Sequence, residues 1–316
     1  MKKRVRFIDN LKAFAIICVI LGHALQYLAG ANPAGLVSFN LIYTFHMPLF
    51  MMMSGYFAVS SFELSIGEFL KKKSIQLLLP ALTWSFCKII LSGGNICNNL
   101  IGSFWFLKSV FVCYFITYFA LKIVKNKFIV YVSLFTISLF CNIDFSTYML
   151  NYMLPSFVFG ILLKENIGYI LKYRILVIGV SLLIYLLLMP YWNFNAFHYT
   201  SIWQNGTFDL HYFLISFHRI ILGLTGSLFL FAVFSYINKS NSIVLSIGAS
   251  TLGLYAMNGI FSDIQRHVLH LSIENEFICL GISLLLVLMQ IPVFMYIIRV
   301  LKGYKIFSIL FLGIKK

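Results

Sequence analysis

Phe7-Ile8-Asp9-Asn10-Leu11-Lys12-Ala13-Phe14-Ala15-Ile16-Ile17-Cys18-Val19-Ile20-Leu21-Gly22-His23 is apolar enough to begin a membrane span, yet it carries Asp9, Lys12 and His23. An ionisable side chain at the depth of His23 costs about 2.5–3.5 kcal/mol or more, so by default it is a candidate functional residue. Lys12 and His23 are eleven residues apart, and at about 100° per residue that is three turns plus about 20°. The same count sets Asp9 within about 40° of His23. One helix face thus carries an acid, a base and an imidazole towards one interior.

The rest of the chain extends this pattern. It is 61% apolar and only 10% charged, with a mean hydropathy of +0.93, whereas soluble domains run near 45–50% and about 25%. Apolar runs of membrane length recur over 8–28, 38–60, 74–91, 104–121, 128–141, 147–163, 174–190, 213–237, 243–262 and 277–300. The fold expected is therefore all-α, a polytopic membrane protein of about ten transmembrane helices. The run 128–141 is short for a crossing. It is kept because of the charges.

Counted alternately, the segments on one side hold Lys2, Lys3, Arg4, Arg6, Lys71, Lys72, Lys73, Lys122, Lys125, Lys127, Lys164, Lys172, Arg174, Lys239, Lys302, Lys305, Lys315 and Lys316, and those on the other hold Arg266 alone. The positive-inside rule then places both termini in the cytoplasm of a multi-pass cell (inner or plasma) membrane protein. The net charge of +15 is a topology signal, and nucleic acid is not an expected partner. A single membrane domain is expected over 1–316, since no polar stretch is long enough for a separate soluble fold. The first span is read as uncleaved, because Lys12 and His23 interrupt a run already longer than a signal-peptide core. Cys97 and Cys141 fall on or near the outer face, where a disulfide is permitted but not required. No Cys/His spacing suggests a metal. His267 and His270, three apart, read as solvated.

Further polar positions stand out within the runs. His46 lies about 12 Å from the outer end of its run and His23 about 22 Å along the first, so both belong to the outer half and can meet. Pro48 frees the carbonyl of Thr44 beside His46. The alternative for His46, and for His23, is a helix-packing residue hydrogen-bonded to a neighbour. Trp105, at a boundary, reads as an aromatic-belt anchor, and Lys108 and Lys88 as snorkelling cations. Arg219 lies about 9 Å inside its run on the cation-poor side, which points to a pocket with an anionic or carbonyl partner. Ser54-Gly55 reads as a small-residue packing notch. The loop 190–212, rich in aromatic and amide side chains, suits either a sugar or interfacial anchoring.

Arg6-Phe7-Ile8-Asp9-Asn10-Leu11-Lys12 leading to Leu21-Gly22-His23, then Phe45-His46-Met47-Pro48-Leu49-Phe50 with Ser54-Gly55-Tyr56-Phe57, then Trp105-Phe106-Leu107, resemble the integral-membrane acyltransferase type 3 family, in its fucose 4-O-acetylase-like branch. The resemblance covers nearly the whole chain. It implies transfer of an acyl group, usually acetyl from acetyl-CoA, to a hydroxyl of a cell-surface polysaccharide or lipid-linked sugar. No bound cofactor is implied; acyl-CoA enters as a substrate. The family's motifs map onto Arg6, Asp9, Lys12, His23 and His46, and its histidine in the ninth span is replaced here by Asn258. The extra esterase-like domain of longer relatives is not expected.

Acyl transfer needs a base for the acceptor hydroxyl and electrophilic help at the carbonyl oxygen. The catalytic candidates are His23, as base or transient acyl carrier, and His46, orienting or polarising. Substrate-binding candidates are Arg6, Asp9, Lys12, Trp105 and Arg219, with Lys12 nearer the donor's phosphates than the reacting atoms. A transporter or flippase for a glycan lipid is the rival reading. It fits less well, because the nine acidic residues lie mostly in loops or at span ends, where they cannot couple ion movement.

Overall fold

The computed structural model describes residues 6–30, 32–92, 96–140, 148–194, 202–204, 207–268 and 272–315. The first two helices are α1 (Arg6–Leu28) and α2 (Val37–Tyr56). Next come α3 (Ile66–Lys73) and α4 (Leu79–Ser92), joined by a π-helical stretch over Ser74–Leu78. A short α5 (Ile96–Gly102) precedes α6 (Trp105–Ile123), α7 (Lys127–Phe140), α8 (Leu150–Glu165), α9 (Ile167–Lys172) and α10 (Arg174–Leu188). After a two-stranded ribbon, β1 (Trp203–Gln204) against β2 (Thr207–Phe208), follow α11 (Leu210–Phe234), α12 (Ser242–Gly248), α13 (Thr251–Val268), α14 (Glu276–Gly303) and α15 (Lys305–Leu312).

Local chemistry accounts for several ends. Gly30, at φ +63°, takes the left-handed position that commonly stops a helix beyond its last turn. Asp209 accepts from the amides of His211 and Tyr212, and Asn275 from those of Phe277 and Ile278, capping α11 and α14. Glu276 reaches across to the first amides of α2, accepting from Val37 at 2.8 Å and Ser38 at 3.0 Å.

Helices lie over every apolar run marked in the sequence. Among the described residues six are long and apolar enough to cross a membrane, or seven if the bent pair α12 and α13 forms one span. That makes the molecule an all-α, multi-pass membrane protein. The remaining runs are α7, with 14 residues, α8, with 16 residues, and α2, whose hydropathy is diluted by Asn40, His46 and Pro48. The ninth run departs from expectation, because α12 meets α13 at 71°. The loop 190–212 departs too, since it holds the ribbon and a 3₁₀ turn over Met189–Tyr191. Cys97 is a free thiol. Cys141, His270 and residues 195–201 lie outside the described residues, as do the side chains of Arg266 and His267.

The centre of the bundle is the α2–α8 contact. A Cβ built on Gly160 would lie 1.9 Å from the Met52 carbonyl oxygen, and one on Gly55 1.9 Å from that of Phe157. The two backbones touch with no side chain between them, the notch read at Ser54-Gly55. Gly160→Ala is expected to separate the helices and destabilise the fold by about 1–3 kcal/mol or more. Thermal unfolding in detergent measures this, and an unchanged midpoint would contradict the packing described.

Candidate active site

At the end of the bundle remote from Arg6 lies a cavity of about 390 Å³. His23, Gln26 and Tyr27 of α1, Tyr43 and His46 of α2, Lys88 of α4, Trp105 of α6, Arg219 of α11 and Asn258 of α13 all face it. Four sequence-predicted residues, His23, His46, Trp105 and Arg219, therefore converge from four helices. The depths counted for the two histidines agree with their meeting.

His46 is buried, and its Nδ1–H donates to the Ile42 carbonyl at 2.8 Å. A carbonyl can only accept, so this bond fixes the tautomer and leaves Nε2 as the lone-pair nitrogen of the neutral ring. Tyr43 packs edge-on to His46 at 4.7 Å and donates its hydroxyl to Gln26 Oε1 at 2.8 Å. His23, half-buried, stacks on Tyr27 one turn later with centroids 6.2 Å apart.

Pro48 cannot donate to Thr44, and the structure supplies a replacement. Tyr152 of α8 donates its hydroxyl to the Thr44 carbonyl at 3.2 Å, while Thr44 Oγ1 and the Tyr185 hydroxyl of α10 lie 2.7 Å apart. The carbonyl exposed by the proline thus becomes an anchor for Tyr152, itself part of the cavity wall.

Arg219 is buried with carbonyl partners, as its depth implied. Its Nη2 donates to the Asn193 carbonyl at 2.8 Å and that of Phe194 at 3.2 Å, and its guanidinium lies 4.4 Å from the Trp192 ring centroid. It fastens the loop after α10 over the cavity. Since α11 begins at Leu210, Arg219 stands nine residues into the helix, about 14 Å by rise and deeper than counted.

The wall carrying Trp105 is held unusually. Phe104, the residue before α6, sits at φ +52°, a strained conformation for a bulky side chain. Lys108 does not snorkel. It is buried and donates to the carbonyls of Leu100, Ile101 (3.0 Å) and Ser103 (2.6 Å), gathering the end of α5 beneath the turn. Trp105 faces the cavity rather than serving only as a belt anchor.

Arg6, Asp9 and Lys12 stand apart from this cavity. By helix rise Lys12 lies about 16 Å from His23. Its Nζ is 3.8 Å from Asp9 Oδ1 and 5.5 Å from the Phe57 ring centroid. Asn10 donates to the carbonyls of Ile237 at 3.1 Å and Lys239 at 3.2 Å, and Gly248 packs on the Asp9 backbone. Arg6 is exposed.

Sequence reasoning missed Lys88, Tyr152 and Tyr255 as wall residues, whereas Trp192 belongs to the aromatic loop read as suiting a sugar or interfacial anchoring. Lys88 was read as snorkelling, and nothing in a single sequence separates a cation that turns outward from one that turns inward. Tyr152 was recoverable in principle, because the Thr44 carbonyl required a donor.

The comparisons with known proteins bear on the same residues. A family model described as an acyltransferase domain matches residues 5–298. The nodulation protein NolL of Sinorhizobium fredii is 32% identical over 183 residues, covering 50% of this chain and 48% of that protein. Its namesake in Mesorhizobium japonicum is 33% identical over 184 residues, 51% of this chain and 48% of the relative. The chain thus spans about half the length of the curated relatives it matches. No solved structure matches it. A match running from before the first helix almost to the end of α14 covers both histidines and every wall of the cavity, so the chain belongs to the acyltransferase domain family.

Proposed function

We propose that this protein is a membrane-bound O-acyltransferase. In this reading it moves an acyl group, acetyl above all, from acyl-CoA to a hydroxyl of a cell-surface polysaccharide or lipid-linked sugar. It would sit in the cell membrane with ten spans and both termini in the cytoplasm. The observation that carries the reading is the meeting of His23 and His46, from different helices, in one cavity with the His46 tautomer fixed.

That tautomer favours a redistribution of roles. A neutral ring whose Nδ1–H is committed to Ile42 presents an acceptor, so His46 Nε2 takes the proton of the acceptor hydroxyl. The freed oxygen attacks the thioester carbonyl carbon. His23 donates to the oxygen on which negative charge gathers. Collapse expels the thiolate, and the proton held by His46 goes to the leaving sulfur. Arg219 holds the loop over the reacting groups. Lys12, at the opposite end of α1, meets the donor's phosphates.

Incubating membranes with labelled acetyl-CoA tests the reaction, and label appearing on glycan is expected. Donor-independent movement of unlabelled glycan lipid would favour the transporter instead. Trp192 lines the cavity, and its indole N–H is buried with no acceptor among the described residues, which suits a sugar hydroxyl. Trp203 instead donates to the Phe140 carbonyl at 2.7 Å. Trp192→Ala is therefore expected to raise KM for the acceptor about 10-fold, with Trp203→Ala leaving it unchanged. Equal effects would count against acceptor binding at Trp192.

A further inference from the structure

A second concavity, of about 510 Å³, opens on the outside of α14 near its C-terminal end. Pro292, Met295, Tyr296, Arg299 and Lys302 recur at spacings of three, one, three and three, which keeps them along one stripe of a helix. Ser246 of α12 forms the facing wall. The groove has two chemical halves. Pro292, Met295 and Tyr296 line it towards the middle of α14, while Arg299 and Lys302 close it at the end rich in basic segments. By helix rise Pro292 and Lys302 are about 15 Å apart. Tyr296 is 69% exposed, and the neighbouring Val293 is 55% exposed, so the groove borders surface that meets lipid in a multi-pass protein. Lys302 donates to Ser250 Oγ at 3.0 Å. Ser250 lies in the joint where α12 and α13 bend apart.

We propose that this groove seats an anionic phospholipid. The headgroup phosphate lies between Arg299 and Lys302, with Ser246 as a hydroxyl donor, and one acyl chain follows Met295, Tyr296 and Pro292. The occupant follows from charge and shape together. Two cations at the end of an apolar trough complement an anionic head on a hydrocarbon tail. The cation-rich side of a membrane protein also faces the leaflet where anionic lipids attract basic residues. A soluble phosphate would use the cations and leave the trough unfilled. The site is separate from the cavity of His23 and His46, and it does not depend on the reaction proposed there.

Native mass spectrometry of the full-length protein in detergent tests this, with added phosphatidylglycerol, phosphatidylcholine or inorganic phosphate. Retention of phosphatidylglycerol over phosphatidylcholine is expected in the wild type, with no displacement by millimolar inorganic phosphate. Arg299→Gln, at an exposed side chain, should weaken phosphatidylglycerol binding about fivefold, as removal of one interfacial cation worth about 1 kcal/mol implies. Arg299→Gln with Lys302→Gln should weaken it further. If Lys302→Gln disturbs the joint at Ser250, Arg299→Gln alone carries the test. Equal retention of the two lipids, unchanged binding by Arg299→Gln, or displacement by inorganic phosphate would each overturn the proposal.

Discussion

His46→Ala is expected to lower acyl transfer about 10²–10⁴-fold, the range supplied by a positioned general base, while leaving the protein inserted. The Nδ1–Ile42 bond is local to one turn of α2, so its loss removes no contact between helices. A packing histidine would show the opposite pattern, with abundance falling and the remaining molecules active. Added imidazole separates the cases further. The cavity of about 390 Å³ has room for a free ring where the side chain was, so rescue should be partial and saturable. Wild-type turnover by His46→Ala, or a loss that tracks abundance alone, would remove His46 from the chemistry.

His23→Ala should cost about 10²–10³-fold, the usual effect of deleting one donor to a developing oxyanion. Its diagnostic partner is His23→Gln. A glutamine amide can donate but is not a base, so His23→Gln should recover a measurable part of the rate, whereas His46→Gln should not. Steady-state rates on membranes matched for protein content make the comparison. If His23→Gln is as inactive as His23→Ala and His46→Gln retains activity, the two roles are reversed. Full activity in His23→Ala would remove His23 from the chemistry and leave its place in this span to packing.

Part of the convergence was legible because membranes restrict where polar groups can lie. His23, His46 and Arg219 each stood at a depth where hydrocarbon would penalise them, and counting helix rise placed the two histidines at one level. Pro48 likewise announced a carbonyl in need of a donor. The direction of long cations was not legible. Lys108 and Lys88 have stems able to reach either water or protein, and only the packing of α5 and α6 turns Lys108 inward to three carbonyls. The break between α12 and α13 was also hidden, because Gly248-Ala249-Ser250 does not interrupt an apolar run strongly. The N-terminal cluster was legible as a helix face but not as a separate place. A shared face says nothing about whether residues about 16 Å apart open onto one cavity.

The glycine contact between α2 and α8 has a mechanical consequence. Where carbonyl oxygens bear directly on glycines, no side chain can change rotamer to absorb a displacement. Those two helices must travel as a single stiff keel. Admission of a substrate as bulky as the proposed sugar would then fall to lighter parts at the rim, the strap pinned by Arg219 and the turn tethered by Lys108, whose polar fastenings can be exchanged for water.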